Sequence, residues 1–405
     1  MDFRTIIHLD LDAFYCAVEE LQNSSLHGKP FAVGGRPEGR GVVSSCSYAA
    51  RRLGIRSAMP MARAVQICPN LIILRGNHRE YGQKSRQVME ILRQTTDLVE
   101  QISIDEAFLD VSEISGNKVA LARSLQSRIK SETNLPCSLG IATNKLVAKI
   151  ATDVGKSSIQ TDTFPNAIQE VPVGQEAAFL APLPLETLWG IGPKTAETLH
   201  RMGMQNIGDL ALWPVTDLTK RLGKLGFDLH ARANGIDHNP VTTHRDPKSI
   251  SQEVTFGKDT NHQHILNRTL QHQALQVSTG LKRAGFVGTT VKLKLRWADF
   301  TTITRQITLP EPVDNERTIL EYAQKLLKQN WNGKTLIRLI GIGVSGLQRP
   351  SQQLSLWDKV DYTRMAQLEA ALHQVRSRYG QDVIQRGAQS PNQHGLPPDE
   401  EELSQ

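Results

Sequence analysis

Two adjacent acids interrupt an otherwise apolar stretch of the sequence, SIDEAFLD at residues 103–110. Asp105 and Glu106 lie in a run whose pattern is typical of a strand, where neighbouring side chains point to opposite faces. An unpaired carboxylate is costly to bury, so the pair requires a compensating charge, and a divalent cation can supply it. Residues 98–112 are predicted to form a hairpin, whose turn can direct both carboxylates into one volume.

A third acid, Asp10, lies in the strand predicted at the start of RTIIHLDLDAFYCAVEEL, on the same face as His8 and Asp12. Three neighbouring carboxylates repel one another unless divalent cations bind between them. Two Mg²⁺ ions held by such acids can activate an attacking hydroxyl and stabilise a leaving pyrophosphate. For the acidic pair alone, a turn aspartate beside a solvated glutamate is the more common explanation, so the wider sequence must decide.

HLDLDAFYCAVE together with SIDEAFLDV resembles the Y-family DNA polymerases, in particular their bacterial DNA polymerase IV branch, with similar motif spacing from about residue 5 to residue 347. The resemblance implies an error-prone, lesion-bypass polymerase that adds dNTPs to a primer 3′-hydroxyl with two Mg²⁺ ions. It implies that Asp10, Asp105 and Glu106 are the catalytic and metal-binding carboxylates, and that the carbonyl of Leu11 is a further metal ligand. Asp12 does not match a ligand and is predicted to be structural.

The same resemblance implies a nucleotide pocket. Tyr15 matches the steric gate that rejects a ribose 2′-hydroxyl, although an aromatic residue on a first helical turn is usually a core residue. Tyr48 and Arg51 are three residues apart and share a helix face, and the arginine fork suits a triphosphate. The residues implied to contact the nucleotide are Phe14, Ser45, Tyr48, Arg51 and Lys156. At Lys156 the chain reads KSSI where the family commonly has Lys-Pro-Asn/Asp-Gly, so the charge is kept without the rigid turn.

Alternating strands and helices up to about residue 165 predict an α/β domain with an inserted lobe. Residues 250–347 predict a second mixed domain in the order strand, helix, strand, strand, helix, strand. The expected fold is therefore a multidomain α/β and α+β protein, arranged as a polymerase right hand. Its parts are a palm at 1–19 and 79–165, fingers at 20–78, a helix-hairpin-helix thumb at 166–235, a linker at 236–249, a little finger at 250–347 and a tail at 348–405.

Two segments are predicted to hold primer-template DNA. LWGIGPKTAETL resembles a helix-hairpin-helix, in which Gly190 and Gly192 expose backbone N–H groups to phosphate and Lys194 adds charge. An ordinary glycine-capped turn is the alternative. In VKLKLRW the side chains of Lys292, Lys294 and Arg296 alternate with apolar ones and form a cationic sheet face. Sequence-independent phosphate binding suits such a face, which could also be merely solvated.

The tail sequence QQLSLWD resembles the bacterial sliding-clamp motif through Gln353, Leu354, Ser355, Leu356 and Trp357. Leu356 and Trp357 would be the apolar anchors, with tryptophan where phenylalanine is usual. Residues 368–387 predict a helix of unassigned purpose, and residues 388–405 are acidic and predicted to be disordered.

The distribution of charge suits a polyanion partner, although many basic proteins bind nothing charged. The formal net charge is +6, and residues 349–405, with six basic and eight acidic residues, leave +8 for the rest. Four separated cysteines argue against a zinc site or a disulfide framework. Without an apolar span or a secretion signal, the chain is expected to be cytoplasmic and monomeric.

Two alternatives to the polymerase function are a catalytically silent DNA- and clamp-binding paralogue and a nucleotidyl cyclase. No segment is left over for a proofreading exonuclease.

Overall fold

The structure is a computed structural model that describes residues 4–159, 161, 163–350 and 371. The chain divides into two compact units, one ending at Asp246 and the other starting at Pro247. Within the described residues, no helix has the length and apolarity needed to cross a membrane.

Twelve strands are present in the described part of the chain: β1 Ile6–Leu11, β2 Phe31–Gly34, β3 Val43–Cys46, β4 Ile72–Leu74, β5 Val99–Gln101, β6 Glu106–Asp110, β7 Cys137–Ala142, β8 Ile168–Glu170, β9 Ser249–Thr260, β10 Val287–Trp297, β11 Thr302–Val313 and β12 Ile337–Gln348. The α-helices of the same part are α1 Phe14–Gln22, α2 Tyr48–Arg52, α3 Met61–Ile67, α4 His78–Thr95, α5 Lys118–Thr133, α6 Lys145–Ser158, α7 Glu176–Leu180, α8 Pro193–Arg201, α9 Ile207–Leu212, α10 Val215–Leu222, α11 Lys224–Ala233, α12 Gln263–Ala284 and α13 Glu316–Asn330.

A five-stranded sheet in the order β5-β6-β1-β7-β8 forms the centre of the first unit. All neighbours are antiparallel except β7 and β8, which are parallel. The β5–β6 pairing confirms the hairpin predicted over residues 98–112. Because β8 belongs to this sheet, the sheet extends past residue 165, the predicted end of the palm.

The two faces of this sheet carry different side chains because strand residues alternate. Ile7, Leu9 and Leu11 pack into a core shared with α4 and α5. Ile6 and Phe108 point the other way and pack against α6 and the helices that follow. His8 and Asp10 are on this second face, so polar groups of β1 lie under α6.

A close approach joins α6 to the sheet at Gly140, which pairs with His8 across β1 and β7. A Cβ atom at Gly140 would lie 2.0 Å from the carbonyl oxygen of Ala148 and 2.6 Å from the backbone nitrogen of Thr152. Glycine is therefore required there for α6 to pack at its observed distance from β7.

The turn between β1 and α1 is made by Asp12 and Ala13. Ala13 caps α1 in the left-handed region, with φ 45° and ψ 48°, and it is almost fully buried. This single residue changes the chain direction from strand to helix, so Asp10 and Tyr15 lie close to the same end of the sheet.

The segment predicted as fingers contains a three-stranded sheet, β3-β2-β4, with the short helices α2 and α3. The strand β4 pairs in parallel with β2 and was not predicted. Residues 176–233 contain the helices α7 to α11, which share the core on the α6 side of the larger sheet.

The second unit contains a four-stranded antiparallel sheet in the order β11-β10-β12-β9, with α12 and α13 on one face. Its element order agrees with the predicted one. Val291, Leu293 and Leu295 are buried beneath the two helices. Between the units, residues 236–248 form neither helix nor strand.

Candidate active site

Two of the predicted carboxylates face each other across the central sheet. Asp10 on β1 pairs directly with Glu106 on β6, so the two side chains share one face. Asp105 precedes β6 in the hairpin turn, and its carbonyl oxygen accepts a hydrogen bond of 2.9 Å from the backbone N–H of Leu11. Register and turn together bring Asp10, Asp105 and Glu106 to one end of the sheet.

The hairpin turn fixes Asp105 through Ser103. The hydroxyl of Ser103 donates to Oδ1 of Asp105 and accepts from the backbone N–H groups of Asp105 and Glu106, at 3.2 and 3.1 Å. Burial raises the pKa of Asp105, and the negative charges of Asp10 and Glu106 raise it further. The three acids are thus close enough to repel one another, as a cation-binding arrangement requires.

Glu106 has cationic and polar neighbours from two other elements. Nζ of Lys149 on α6 lies 2.5 Å from Oε2 of Glu106, and Nε2 of His8 on β1 lies 3.2 Å from the same oxygen. The hydrogen bond from His8 lowers the pKa of Glu106 to about 2, aided by Lys149 and opposed by burial. Glu106 is therefore ionised throughout the physiological pH range.

Lys156 lies in the last turn of α6 and bridges two acids. Its Nζ is 2.5 Å from Oδ1 of Asp10 and 3.2 Å from Oδ1 of Asp12, and their charges raise the pKa of Lys156 against the opposing effect of burial. Asp12 is completely buried, and it also accepts hydrogen bonds from the hydroxyl of Ser138 and the backbone N–H of Asn166. These contacts agree with the structural role predicted for Asp12. In place of the family's rigid turn at Lys156, α6 continues to Ser158.

His8, Thr152 and Lys149 were missed as members of the site by the sequence reasoning. Lys149, Thr152 and Lys156 are spaced by three and four residues and therefore lie on one face of α6. That spacing, opposite a strand carrying His8 and Asp10, was the signal available in the sequence.

The donor set suits Mg²⁺, because carboxylate and carbonyl oxygens are its preferred ligands. Among the described residues, however, no three His, Cys, Asp or Glu side chains converge at metal-binding spacing. Each acid has a partner within the protein instead: Asp10 pairs with Lys156, Asp105 with Ser103 and Glu106 with Lys149. The two-ion cluster at Asp10, Leu11, Asp105 and Glu106 therefore stays a prediction that the donor chemistry and the crowding of charge support.

Tyr15 lies in a group of aromatic rings beside the carboxylates. Its ring stacks on Tyr81 at 4.3 Å with an interplanar angle of 14°, and it contacts the rings of Phe14 and His78. Burial raises the pKa of Tyr15, and the charge of Asp105 raises it further. The ring is thus held in place by its aromatic neighbours, and its role as a steric gate stays a prediction.

Tyr48 and Arg51 form a second group on α2. The guanidinium carbon of Arg51 lies 4.8 Å from the centre of the Tyr48 ring, and its Nε donates to the carbonyl oxygen of Cys46 at 3.2 Å. Burial raises the pKa of Tyr48 to about 12, with a contribution from Asp12. Ser45 is buried, and its hydroxyl accepts a weak hydrogen bond from the thiol of Cys16.

The predicted helix-hairpin-helix has the expected local geometry. Gly190 has a φ of 106°, Gly192 caps α8, and Pro193 is the first residue of that helix. A Cβ atom at Gly190 would lie 2.5 Å from Nη1 of Arg232. Lys194 follows in the first turn of α8. In the second unit, Lys292, Lys294 and Arg296 are partly exposed on β10, and Nζ of Lys294 lies 2.6 Å from the carboxylate of Glu253.

Two predictions concern the tail. Gln353, Leu354, Ser355, Leu356 and Trp357 lie outside the described residues. The helix predicted at 368–387 lies outside them as well, except for Ala371, which is helical.

Comparison with known proteins gives matches over most of the chain. Residues 9–153 match the impB/mucB/samB family, residues 174–204 match the IMS family HHH motif, and residues 247–356 match the impB/mucB/samB family C-terminal domain. Similar curated proteins include DNA polymerase IV from Dehalococcoides mccartyi strain CBDB1, 38% identical over 96% of this chain and 98% of that protein. DNA polymerase IV from Halorhodospira halophila is 41% identical over 88% of this chain and 99% of that protein.

Among solved structures, a Y-family DNA polymerase chimera, Dbh-Dpo4(243-245)-Dbh, has a TM-score of 0.73. The match covers 85% of this chain and 100% of that chain, at 23% sequence identity. The shared fold, with its catalytic domain, helix-hairpin-helix motif and C-terminal domain, agrees with the fold class predicted from the sequence.

Proposed function

Because the chain belongs to the impB/mucB/samB family of Y-family polymerases and is a DNA-directed DNA polymerase, we propose that it performs error-prone translesion synthesis. It adds dNTPs to a primer 3′-hydroxyl on a damaged template, without proofreading. The observation that carries this proposal is the pairing of Asp10 with Glu106 across β1 and β6, with Asp105 beside them in the turn.

The carboxylates would hold the metal ions and so position the reacting groups. Two Mg²⁺ ions, when bound to Asp10, Asp105, Glu106 and the carbonyl of Leu11, supply the positive charge that phosphoryl transfer to a primer hydroxyl needs. Arg51 and Lys156 provide cationic groups for the triphosphate. Tyr15, fixed by its stack on Tyr81, excludes a ribose 2′-hydroxyl from the sugar position.

The fingers support low fidelity because they offer little bulk to close over a base pair. In the described residues this lobe consists of a three-stranded sheet and two short helices of five and seven residues. We further propose that the protein acts as a monomer, and that Gln353, Leu354, Leu356 and Trp357 bind a bacterial sliding clamp.

DNA binding in this proposal is independent of sequence. The backbone N–H groups around Gly190 and Gly192, with Lys194, bind phosphate at the α8 end, and Lys292, Lys294 and Arg296 do so on β10. Such contacts predict that affinity for primed DNA falls steeply as salt concentration rises.

Primer extension with the full chain tests the proposal. Wild type, Glu106→Ala and the matched control Glu113→Ala, an exposed acid on the same segment, are given primed template, dNTPs and Mg²⁺. Wild type and Glu113→Ala are expected to extend the primer, and Glu106→Ala to be slower on the order of 10³-fold, because it loses a metal-holding carboxylate. A wild-type protein that binds primed DNA without extending it would favour the silent paralogue instead.

A separate template carrying an abasic site tests lesion bypass. Extension past the site by the wild type is expected. Extension of the undamaged template alone would remove translesion synthesis from the proposal and leave the polymerase activity standing.

A further inference from the structure

The two oxygens of Glu106 have different surroundings. Oε2 receives both Nζ of Lys149, at 2.5 Å, and Nε2 of His8, at 3.2 Å. Within the described residues, Oε1 has no hydrogen-bond or ion-pair partner. The carboxylate is thus anchored through one oxygen while the other is available to a ligand.

Hydrogen-bond geometry also assigns the proton on His8. An ionised carboxylate can only accept, so Nε2 of His8 must carry the proton that it donates to Glu106. Nδ1 of His8 lies 2.9 Å from the hydroxyl of Thr152. In the neutral imidazole Nδ1 is an acceptor, so the hydroxyl of Thr152 donates to it at 2.9 Å rather than to the carbonyl oxygens of Ala148 and His8, which are farther away at 3.1 and 3.3 Å. Thr152, His8 and Glu106 therefore form a directed chain of two hydrogen bonds.

The chain of hydrogen bonds is rigid. His8 and Thr152 are completely buried, and the His8 ring also contacts Phe108 at 4.8 Å. Thr152 is on α6, one turn from Lys149, so a single helix supplies both the outer end of the hydrogen-bonded chain and the cation. Groups arranged in this way fix the rotamer of an acid rather than merely neutralising it.

We propose that His8 and Lys149 are positioning residues that hold Oε2 of Glu106 and so direct Oε1 at the reaction site, and that Thr152 keeps His8 in the required tautomer. The inference rests on the proposed function, because it assigns partners to an acid of that site. A purely structural role for His8 would not depend on particular donated protons. The proposed role does, because the orientation of Glu106 requires the proton that Thr152 donates to His8 and the proton that Lys149 donates to Glu106.

The test uses pairs of near-isosteric variants in the full chain. Thr152→Val removes the hydroxyl proton at similar volume, and Thr152→Ser retains it. Lys149→Met removes the charged donor, and Lys149→Arg retains one. Lys130→Met, at an exposed lysine of α5, controls for a lysine-to-methionine change in the same unit.

Single-turnover extension gives the maximal rate and the dNTP dissociation constant separately, and a Mn²⁺ titration followed by electron paramagnetic resonance gives metal affinity without turnover. Lys149→Met and Thr152→Val are expected to lose about 10–100-fold in maximal rate, and Thr152→Val, which removes no charge, to lose as much in Mn²⁺ affinity. Their dNTP dissociation constants are expected to stay within about twofold of wild type. Lys149→Arg and Thr152→Ser should recover most of the loss.

The inference is overturned if Thr152→Val and Lys149→Met match Lys130→Met in both readouts, or if serine and valine at position 152 behave alike. If Lys149→Met does not fold, the Thr152 pair still decides. Failure of the wild type to extend primers would instead contradict the proposed function. If the wild type extends primers and the variants do so at the same rate, only the positioning role is contradicted.

Discussion

Gly140→Ala is expected to displace α6 and disable the site from a position that contacts no substrate group. The added Cβ would lie 2.0 Å from the carbonyl oxygen of Ala148, whereas ordinary contact begins at 3.4 Å. The neighbouring atoms are helix backbone, which cannot rotate away. The helix must therefore move by about 1.4 Å, the difference between these two distances.

The expected cost has two parts. Overpacking against backbone should lower the free energy of unfolding by about 3 kcal/mol, the upper end of the usual range. For a unit of this size that corresponds to a fall in Tm of roughly 6–12 °C. Because α6 carries Lys149 and Lys156, a shift of this size should also lower the single-turnover rate about 100-fold at temperatures where the variant is folded.

Thermal unfolding followed by circular dichroism and single-turnover primer extension measure the two parts. Gly39→Ala is the matched control, because a Cβ at Gly39 meets no atom within 4 Å and its φ lies outside the left-handed region. If Gly140→Ala has the same Tm and rate as Gly39→Ala, the packing of α6 on β7 is not what positions the two lysines, and the reasoning is refuted.

Three other predictions concern separate regions. Tyr15→Ala should raise incorporation of NTPs relative to dNTPs at least about tenfold, whereas Tyr15→Phe keeps the ring and should not; equal discrimination in both variants would exclude the ring as a gate. All four cysteines are buried and free, and burial raises the pKa of Cys16 to about 12, so Ellman's reagent at pH 8 should label none in the native protein and all in guanidinium. Rapid native labelling would contradict the buried placement. Replacing Leu356 and Trp357 together by alanine should weaken binding to a purified bacterial sliding clamp by at least about 30-fold, measured by calorimetry, with clamp-independent extension unchanged; undiminished binding would exclude the motif.

Periodicity and spacing predicted much of the architecture. The strand with Asp10, the hairpin with Asp105 and Glu106, and the alternation of Val291, Leu293 and Leu295 were all readable, because each shows a clear period of two. The amphipathic helices α4 and α6 were readable for the same reason with a longer period.

Two short strands, β4 and β8, were not predicted. Each has three residues, too few to show a period, and each pairs with a strand distant in sequence, whereas the equally short β5 pairs with its neighbour β6 in a hairpin. The pairing of β8 with β7 was missed because a parallel partner is joined by a helix, and no local turn marks it.

The sequence also did not show which side chains contact one another within the site. Lys149 and Lys156 have the spacing of one helix face, but which acids they meet depends on how α6 crosses the sheet. That crossing is set by Gly140 and Thr152, which are contacts between elements, and no local propensity encodes it.

Ala13 shows how the junction between Asp10 and Tyr15 is kept stiff. An alanine with φ 45° costs about 1–2 kcal/mol relative to a right-handed conformation. Glycine would remove this strain, but it would also give the unfolded chain more freedom, at a cost of roughly 0.5–1 kcal/mol. The second effect offsets about half of the first, so alanine costs the fold roughly 0.5–1 kcal/mol relative to glycine. It does deny the turn the wide range of backbone angles that glycine would permit. The separation between the Tyr15 ring and the Asp10 carboxylate is thereby restricted at the point where glycine would let the chain hinge.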